Sequence, residues 1–153
     1  MSRGEVVAIW LKRFKRGPMD PVLFAEAIEG RGLAGNANQG GRRQVTIIDE
    51  ARWREAQDEV GVDVPPDARR ANIMVRGVDL EKSHGRILHL GPVQVRIYNE
   101  TRPCERMDEA QPGLRAALGP RWRGGAFGEV IAAGVIRVGD EAWFQFSETG
   151  HGV

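Results

Sequence analysis

Residues 86–98, RILHLGPVQVRIY, contain two apolar and β-branched runs that are separated by Gly91 and Pro92. Apolar and polar side chains alternate along both runs, which is typical of strands with one buried face. A Gly-Pro pair between two such runs favours a tight turn. This stretch therefore predicts a β-hairpin whose strands are residues 86–90 and 93–98.

Short strands are also predicted on both sides of this hairpin, because β-branched and aromatic residues recur between glycines and prolines. They cover residues 5–14, 43–48, 72–75, 130–131, 134–138 and 142–146. Residues 19–27 carry Pro21 and fit either an extended segment or a short helix. Many short strands with few long helices between them favour a mainly β, mostly antiparallel barrel over a parallel α/β sheet.

The helices are predicted to be brief. Asp49 is the predicted N-cap of a short helix that carries Trp53 and Ala56. Asp67 is the predicted cap of a helical turn over residues 68–71. Both predictions rest on the preference of aspartate for the position before a helix.

Two loops and one more helix complete the pattern. Residues 30–41, GRGLAGNANQGG, are too rich in glycine for a helix and too long for a hairpin turn, which favours a functional loop. Residues 101–107 are predicted to form a polar loop. Residues 112–118 predict a short helix with proline near its start.

Composition and net charge limit the class of protein, its binding partners and its location. The chain has 153 residues, 41% hydrophobic and 28% charged, which is typical of a globular protein and predicts a single domain over residues 1–153. A formal net charge of +1 predicts neither nucleic-acid nor membrane binding. The apolar run over residues 6–11 is too short for a signal-peptide core or a membrane span, so a cytoplasmic location is expected.

Cys104 is the only cysteine in the sequence. A single thiol forms no internal disulfide, no Cys-rich zinc site and no iron–sulfur cluster. It follows Pro103 and lies between Arg102 and Arg106, and neighbouring cations favour the thiolate, which is the nucleophilic and metal-binding form. The alternative is that Cys104 is a small buried hydrophobe.

A series of motifs runs through nearly the whole chain in a fixed order. It comprises a Gly-rich loop before R-Q-V, an Arg/Asn strand start, a P-C-x-x-M motif and a final G-x-I-x-V-G-D. The segments are residues 32–49 (GLAGNANQGGRRQVTIID), 72–80 (NIMVRGVDL), 93–107 (VQVRIYNETRPCERM), 112–114 (PGL), 124–125 (GG) and 133–140 (AGVIRVGD). In this order they resemble the MOSC domain, the C-terminal fold of molybdenum cofactor sulfurases, and its short stand-alone bacterial members in particular.

The resemblance implies a mostly antiparallel β-barrel with small helices, in agreement with the strand pattern. It also implies a pterin molybdenum cofactor, with the family cysteine, here Cys104, as a metal or sulfur ligand. Family members include the sulfurase C-terminal domain, the mitochondrial amidoxime-reducing component and proteins that detoxify N-hydroxylated purine bases. No pyridoxal phosphate is expected, because the sulfurase domain that binds it is far larger than this chain.

One motif departs from the family pattern. Many members carry an acidic–basic–histidine cluster such as G-D-R-H in the Gly-rich loop, where this chain has Gly35, Asn36, Ala37 and Asn38. The charged groups are missing, and amides that donate and accept hydrogen bonds remain. Binding of a polar ligand is therefore expected at this loop, whereas chemistry that needs an acid or an imidazole there is not.

Arginines and asparagines near these motifs are the candidate cofactor ligands. A phosphorylated pterin is anionic and arginine binds phosphate through paired hydrogen bonds, which suggests Arg43, Arg70 and Arg102. The alternative for each arginine is a solvated surface charge. Asn38 and Asn72 are candidates for hydrogen bonds to the heterocycle, with turn chemistry as the alternative, and for Asn36 the turn interpretation is favoured.

Three functional hypotheses follow. In the first, Cys104 ligates molybdenum in an oxidoreductase that reduces or transfers oxygen on N-hydroxylated small molecules. A separate electron-donor reductase is then needed, because one cysteine holds no cluster and no G-x-G-x-x-G motif opens a helix. In the second, Cys104 is a sulfur carrier with a persulfide that a desulfurase supplies. In the third, the barrel has lost its ligand, and Cys104 is buried and inert away from any cleft.

Overall fold

The structure is a computed structural model and describes residues 3–146. Strands dominate this part of the chain. The strands are β1 Gly4–Lys12, β2 Met19–Val22, β3 Phe24–Ile28, β4 Gly32–Leu33, β5 Val45–Asp49, β6 Ile73–Arg76, β7 Ile87–Leu90, β8 Val93–Glu100, β9 Ala126–Ala132, β10 Gly134–Arg137 and β11 Glu141–Phe144. The helices are α1 Glu50–Val60, α2 Glu105–Ala110 and α3 Leu114–Ala117, with 3₁₀ turns at Pro66–Arg69 and Pro120–Trp122.

The predicted hairpin is confirmed. β7 and β8 pair antiparallel, with Leu90 opposite Val93, so that Gly91 and Pro92 form the turn between them. Gly91 has φ +58°, and a Cβ there would lie 2.4 Å from a carboxylate oxygen of Asp140. Glycine is therefore favoured at this turn by the left-handed backbone conformation, and a larger residue would also displace the Asp140 carboxylate.

Seven strands close into a mixed barrel in the order β11-β7-β8-β9-β5-β6-β1, and β1 pairs with β11 to complete it. All of these pairings are antiparallel except that of β5 with β6. This exception follows from the chain path, because α1 crosses over between the two strands. The prediction of a mainly β, mostly antiparallel barrel is thus confirmed.

The ambiguous segment over residues 19–27 is extended. It forms β2, which pairs with β1 at the edge of the large sheet, and β3, which joins β10 and β4 in a three-stranded sheet. Pro21 is tolerated because β2 is an edge strand, where a missing backbone donor disrupts no inner hydrogen-bond ladder.

The barrel core follows the alternation that the sequence shows. Val93, Val95 and Ile97 of β8 are completely buried, whereas the residues between them face outward at least in part. Burial of each such side chain contributes about 1.5–3 kcal/mol to folding. A second apolar cluster, which includes Trp53 and Met107, packs the three helices against each other on one side of the barrel.

The helix predicted after Asp49 is confirmed as α1. The Asp49 side chain accepts a hydrogen bond of 2.9 Å from the backbone N–H of Ala51, and Gly61 ends the helix in the left-handed conformation. The predicted cap at Asp67 is wrong. Pro65 occupies the N-cap position of that turn and Asp67 lies inside it, because Pro66 suits the first helical position.

Two further expectations are refined. Residues 101–107 do not form a loop throughout, because α2 begins at Glu105 and Cys104 occupies its N-cap position. The helix expected over residues 112–118 is confirmed but shorter, since Gly113 precedes it with φ +89°. Within residues 3–146, no helix combines the length and the apolar character that a bilayer crossing needs.

Candidate functional site

A cavity of about 170 Å³ lies where β1 ends and β6 begins. Five segments line it: the end of β1 with the start of β2, the Gly-rich loop, the chain entering β5, the residues between the first 3₁₀ turn and β6, and the segment that follows β8. Gly124, which precedes β9, adds backbone to the wall. The barrel strands thus fix the walls, while loops and strand ends supply the polar groups.

The lining of this cavity is strongly cationic. Lys12, Arg43, Arg69, Arg70 and Arg106 all contribute, and no aspartate or glutamate is among the lining residues that the structure describes. Since the whole chain has a net charge of only +1, this concentration of positive charge is local. A cleft lined by one sign of charge attracts and holds ions of the opposite sign, so the cavity is suited to an anionic ligand.

Lys12 shows the effect of this crowding. Burial lowers its pKa below the usual 10.5, and the positive charges of Arg70, Arg106 and Arg43 lower it further. The protonated lysine is therefore held at a site that disfavours its charge. A bound anion would relieve this repulsion.

Arg69 is the buried cation of the cavity wall, with 8% of its surface exposed. Its Nε donates to the carbonyl oxygen of Gly124 at 2.9 Å, its Nη2 donates to that of Thr101 at 3.1 Å, and its Nη1 lies 3.9 Å from the sulfur of Met107. Burial lowers its pKa to about 10, and Cys104 raises the pKa in part by an opposing charge interaction. The backbone thus anchors the guanidinium within electrostatic range of the thiol.

Arg70 and Arg43 hold the other side of the cavity. Arg70 ends the 3₁₀ turn in the left-handed conformation, with φ +64°, and its Nη2 donates to the carbonyl oxygen of Gly17 in the β1–β2 connection. Arg43 precedes β5, and its guanidinium carbon lies 4.7 Å from the ring centre of Phe127. Both arginines keep donors beyond these contacts, since a guanidinium carries five N–H groups.

Cys104 is an exposed free thiol that lines the cavity. The alternative of a small buried hydrophobe is therefore wrong. Its carbonyl oxygen accepts a hydrogen bond of 2.9 Å from the N–H of Met107, which anchors the residue at the start of α2. A soft, accessible sulfur beside five cations suits a nucleophile or a ligand to a soft metal.

The asparagines divide into two roles. The Asn72 side chain donates to the carbonyl oxygen of Trp10 and to Asn36 Oδ1, both at 3.2 Å, and accepts two bonds from Thr46, so its hydrogen-bonding capacity is used within the protein. Asn36 Oδ1 also accepts from the N–H of Lys12 at 2.9 Å. Asn36 therefore ties the Gly-rich loop to β1, and the residue before it, Gly35, takes the left-handed conformation with φ +83°.

Asn38 is different. It is half-buried and lines the cavity, and its side-chain amide makes no hydrogen bond to any residue within 3–146. It is therefore the asparagine that remains available to a ligand.

The structure brings five of the six predicted site residues to one cavity: Cys104, Arg43, Arg70, Asn38 and Asn72. Arg102 is exposed and is not among the lining residues. Six other lining residues with polar side chains were not among the predicted site residues: Lys12, Asn36, Thr46, Arg69, Thr101 and Arg106. The roles of all these residues as ligands remain predictions.

The donor set limits which metal the cavity can hold. Within residues 3–146, no group of three or more His, Cys, Asp or Glu side chains is placed to hold a metal ion. One cysteine sulfur among cations and amides fits a different arrangement, in which an anionic organic group provides the remaining metal ligands. The residues present therefore suit a metal that arrives with its own ligands, and they do not suit a bare cation.

Comparisons with family models and solved structures bear on the family and the fold. The family model that matches is that of the MOSC domain, over residues 8–143. Three crystal structures share the fold: the YUAD protein from Bacillus subtilis (TM-score 0.78, 18% identity, 95% of this chain and 98% of that one), YiiM from Geobacillus stearothermophilus (0.72, 15%, 96% and 77%) and YiiM from Escherichia coli (0.69, 16%, 96% and 71%). No curated protein matches the sequence significantly.

Proposed function

This chain belongs to the MOSC domain family, and from that premise we propose that its cationic cavity binds a pterin molybdenum cofactor with Cys104 as a ligand of the metal. The observation that supports this best is the meeting of the only cysteine with five cations in a cavity without lining carboxylates. A phosphorylated, sulfur-rich organic group that carries its own metal needs such a cavity: positive charge for the phosphate and one soft ligand for the metal.

Arg43, Arg70 and Lys12 would hold the phosphate. They come from three different segments, so the phosphate would join the end of β1, the chain before β5 and the chain before β6. Asn38, whose amide has no partner within residues 3–146, would hydrogen-bond the heterocycle. Asn72 would instead keep Asn36 and the Gly-rich loop in place.

When bound, the cofactor would supply two-electron redox chemistry, and family membership suggests N-hydroxylated small molecules as substrates. The side chains of this chain would bind, orient and shield the reacting groups. The sequence has one cysteine, and residues 3–146 offer no cluster of His, Cys, Asp or Glu side chains that could hold a second metal centre. A separate reductase would therefore deliver the electrons.

A sulfur carrier is the second candidate function. The exposure of Cys104 favours it, because a persulfide on an accessible thiolate can be loaded by a desulfurase and passed to an acceptor. The surrounding cations would stabilise the persulfide anion. The chemistry of the cysteine fits both functions, and bound molybdenum or a persulfide on Cys104 would distinguish them.

The deciding measurement is the molybdenum and pterin content of the protein. The native protein would be expressed in a host that makes the cofactor, purified gently and analysed by elemental mass spectrometry. The Cys104→Ser variant would be treated in the same way. We expect near-stoichiometric molybdenum in the native protein and a loss of at least tenfold in the variant. Arg102→Gln is the matched control, because this exposed arginine is close in sequence but does not line the cavity, and its metal content should be unchanged.

A well-folded native protein without molybdenum or pterin would contradict the cofactor proposal. Intact-protein mass spectrometry of the same samples then tests the second function. A mass gain of one sulfur atom that is reversed by a reductant and absent in Cys104→Ser would support the carrier.

A further inference from the structure

Thr101 lines the cavity and carries a buried hydroxyl without a hydrogen-bond partner. The residue is 6% exposed, and its hydroxyl oxygen is the one buried side-chain nitrogen or oxygen within residues 3–146 that has no hydrogen-bond partner. Buried hydroxyls are nearly always hydrogen-bonded, because an unpaired one loses its interaction with water and gains nothing in return. Such a group in a cavity wall indicates a missing partner from outside the chain.

The backbone of Thr101 is held from both sides. Its N–H donates to the carbonyl oxygen of Gly125 at 2.8 Å, and its own carbonyl accepts from Arg69 Nη2 at 3.1 Å. A Cβ at Gly124 would lie 2.5 Å from this same carbonyl oxygen, which shows how closely the neighbouring strand approaches. The fold thus fixes the point at which the Thr101 side chain leaves the backbone.

Arg69 lies next to it with spare capacity. Three of the five guanidinium N–H groups are used, two on carbonyl oxygens and one toward the sulfur of Met107, so two remain. No carboxylate pairs with Arg69 among the described residues. A buried cation without a counter-ion and a buried hydroxyl without a partner therefore share one wall of the cavity that Cys104 also lines.

We propose that Thr101 and Arg69 form an oxyanion subsite beside Cys104, in which the Thr101 hydroxyl donates a hydrogen bond to a negatively charged ligand oxygen. The cations that line the cavity make the ligand an anion, and an anionic oxygen accepts from a hydroxyl. This inference deepens the proposed function and rests on it for the identity of the site. The oxyanion is either a group of the cofactor or an oxygen of the substrate.

The test compares Thr101→Val, which keeps the shape but removes the hydroxyl, with Thr101→Ser, which keeps the hydroxyl. Inorganic phosphate is the probe, titrated by calorimetry into the full-length protein without cofactor. We expect the valine variant to weaken phosphate binding roughly tenfold. The serine variant should stay within about threefold of the native protein.

Thermal stability without phosphate provides a readout that a structural role would not give. Loss of an unpaired hydroxyl should leave the melting temperature of Thr101→Val unchanged or raised. Thr46→Val is the matched comparison, because the Thr46 hydroxyl lines the same cavity but exchanges hydrogen bonds with Asn72 at 3.1 and 3.2 Å. That variant should melt at a lower temperature than the native protein.

Several results would overturn the subsite: a lowered melting temperature for Thr101→Val, a phosphate affinity that Thr101→Val leaves unchanged, or no phosphate binding by the native protein. Failure of the cofactor proposal is separate, since it is decided by molybdenum content. Thr101-dependent phosphate binding by a protein that never acquires molybdenum would support the subsite alone. Thr101-dependent binding that persists in molybdenum-loaded protein assigns the subsite to the substrate, and its loss on loading assigns it to the cofactor.

Discussion

Arg52 and Arg69 are almost equally buried, with 9% and 8% of their surfaces exposed, yet the protein surrounds them in opposite ways. Arg52, on α1, lies 2.9 Å from Glu55 and 3.4 Å from Asp79, and Glu81 follows at 3.5 Å. Burial alone would lower the pKa of Arg52, but Glu55 and Asp79 together raise it above its usual value. The protein itself neutralises this charge.

Arg69 is bound by two carbonyl oxygens and a sulfur, and burial lowers its pKa to about 10. Its charged neighbours include Arg43, which lowers the pKa further. A buried charge without a counter-ion costs free energy that the fold must offset elsewhere. The contrast teaches that carboxylates of the protein neutralise Arg52, whereas Arg69 has no carboxylate partner among the described residues and is, in our proposal, paired with a bound anion.

The largest effect predicted from this comparison is a loss of phosphate affinity in the Arg69→Met variant. A hydrogen bond between charged groups contributes roughly 1.5–3 kcal/mol, so loss of the guanidinium should weaken phosphate binding by roughly ten- to a hundredfold. Calorimetric titration of the full-length protein measures this loss directly. Arg69→Lys should retain part of the affinity, because it keeps the charge but not the planar array of donors.

Arg52→Met is the control with equal burial. It should lower the free energy of unfolding by about 2 kcal/mol, less than for a fully buried pair because its carboxylate partners are partly exposed. Its phosphate affinity should stay native. Equal losses of phosphate affinity in Arg52→Met and Arg69→Met would show that the comparison is wrong and that both arginines act only through the fold.

Local patterns predict much of the fold. The alternation over residues 86–98 and the aspartate before α1 act within a few residues, and both predictions are confirmed. Residues 19–27 stayed ambiguous because Pro21 is compatible with a strand only at a sheet edge, and edge position depends on strands distant in sequence. Asp67 failed as a cap because two prolines before it moved the start of the turn.

The site was predictable only where a motif marks it. Cys104 lies in such a motif, whereas Arg69 and Arg70 are adjacent arginines that sequence alone does not distinguish. Arg70 takes the left-handed conformation that ends the 3₁₀ turn, which separates the two side chains: Arg69 contacts the carbonyl of Gly124 and Arg70 that of Gly17. Which arginine becomes buried depends on these distant partners.

The next prediction concerns the pKa of Lys12 and tests whether the cavity lacks counter-ions in the free protein. Burial and the neighbouring arginines hold its pKa below 10.5 in the free protein, so a bound anion should raise that pKa. The charged lysine then destabilises the free protein at neutral pH, and stability should increase as the pH rises from the lowered pKa toward 10.5. Nuclear magnetic resonance of the lysine side chains, with and without phosphate, measures the shift.

Arg70→Gln offers an independent check, because removal of a neighbouring positive charge should raise the pKa of Lys12 in the same direction as phosphate does. If phosphate left the Lys12 titration unchanged while binding to the protein, the anion would lie away from the cationic cluster.

The smallest effect is expected at Asp49, which caps the helix that carries Arg52. Asp49→Ala removes the 2.9 Å hydrogen bond to the N–H of Ala51 at the start of α1 and should cost about 1 kcal/mol of unfolding free energy. Urea unfolding monitored by circular dichroism measures this loss. Phosphate affinity should not change, since Asp49 acts on the helix that carries Arg52 and is not among the residues lining the cavity.

Asp49→Asn separates the hydrogen bond from the charge. Burial raises the pKa of Asp49 above 3.8, so the ionised group is less favourable in the folded protein and its contribution to stability falls as the pH rises through that raised pKa. Asparagine keeps the acceptor without the buried charge and should match the native protein within about 0.5 kcal/mol at neutral pH. If asparagine were as destabilising as alanine, the negative charge beside Arg52 would be what holds α1, and the carboxylates around that arginine would form a larger network than the three contacts show.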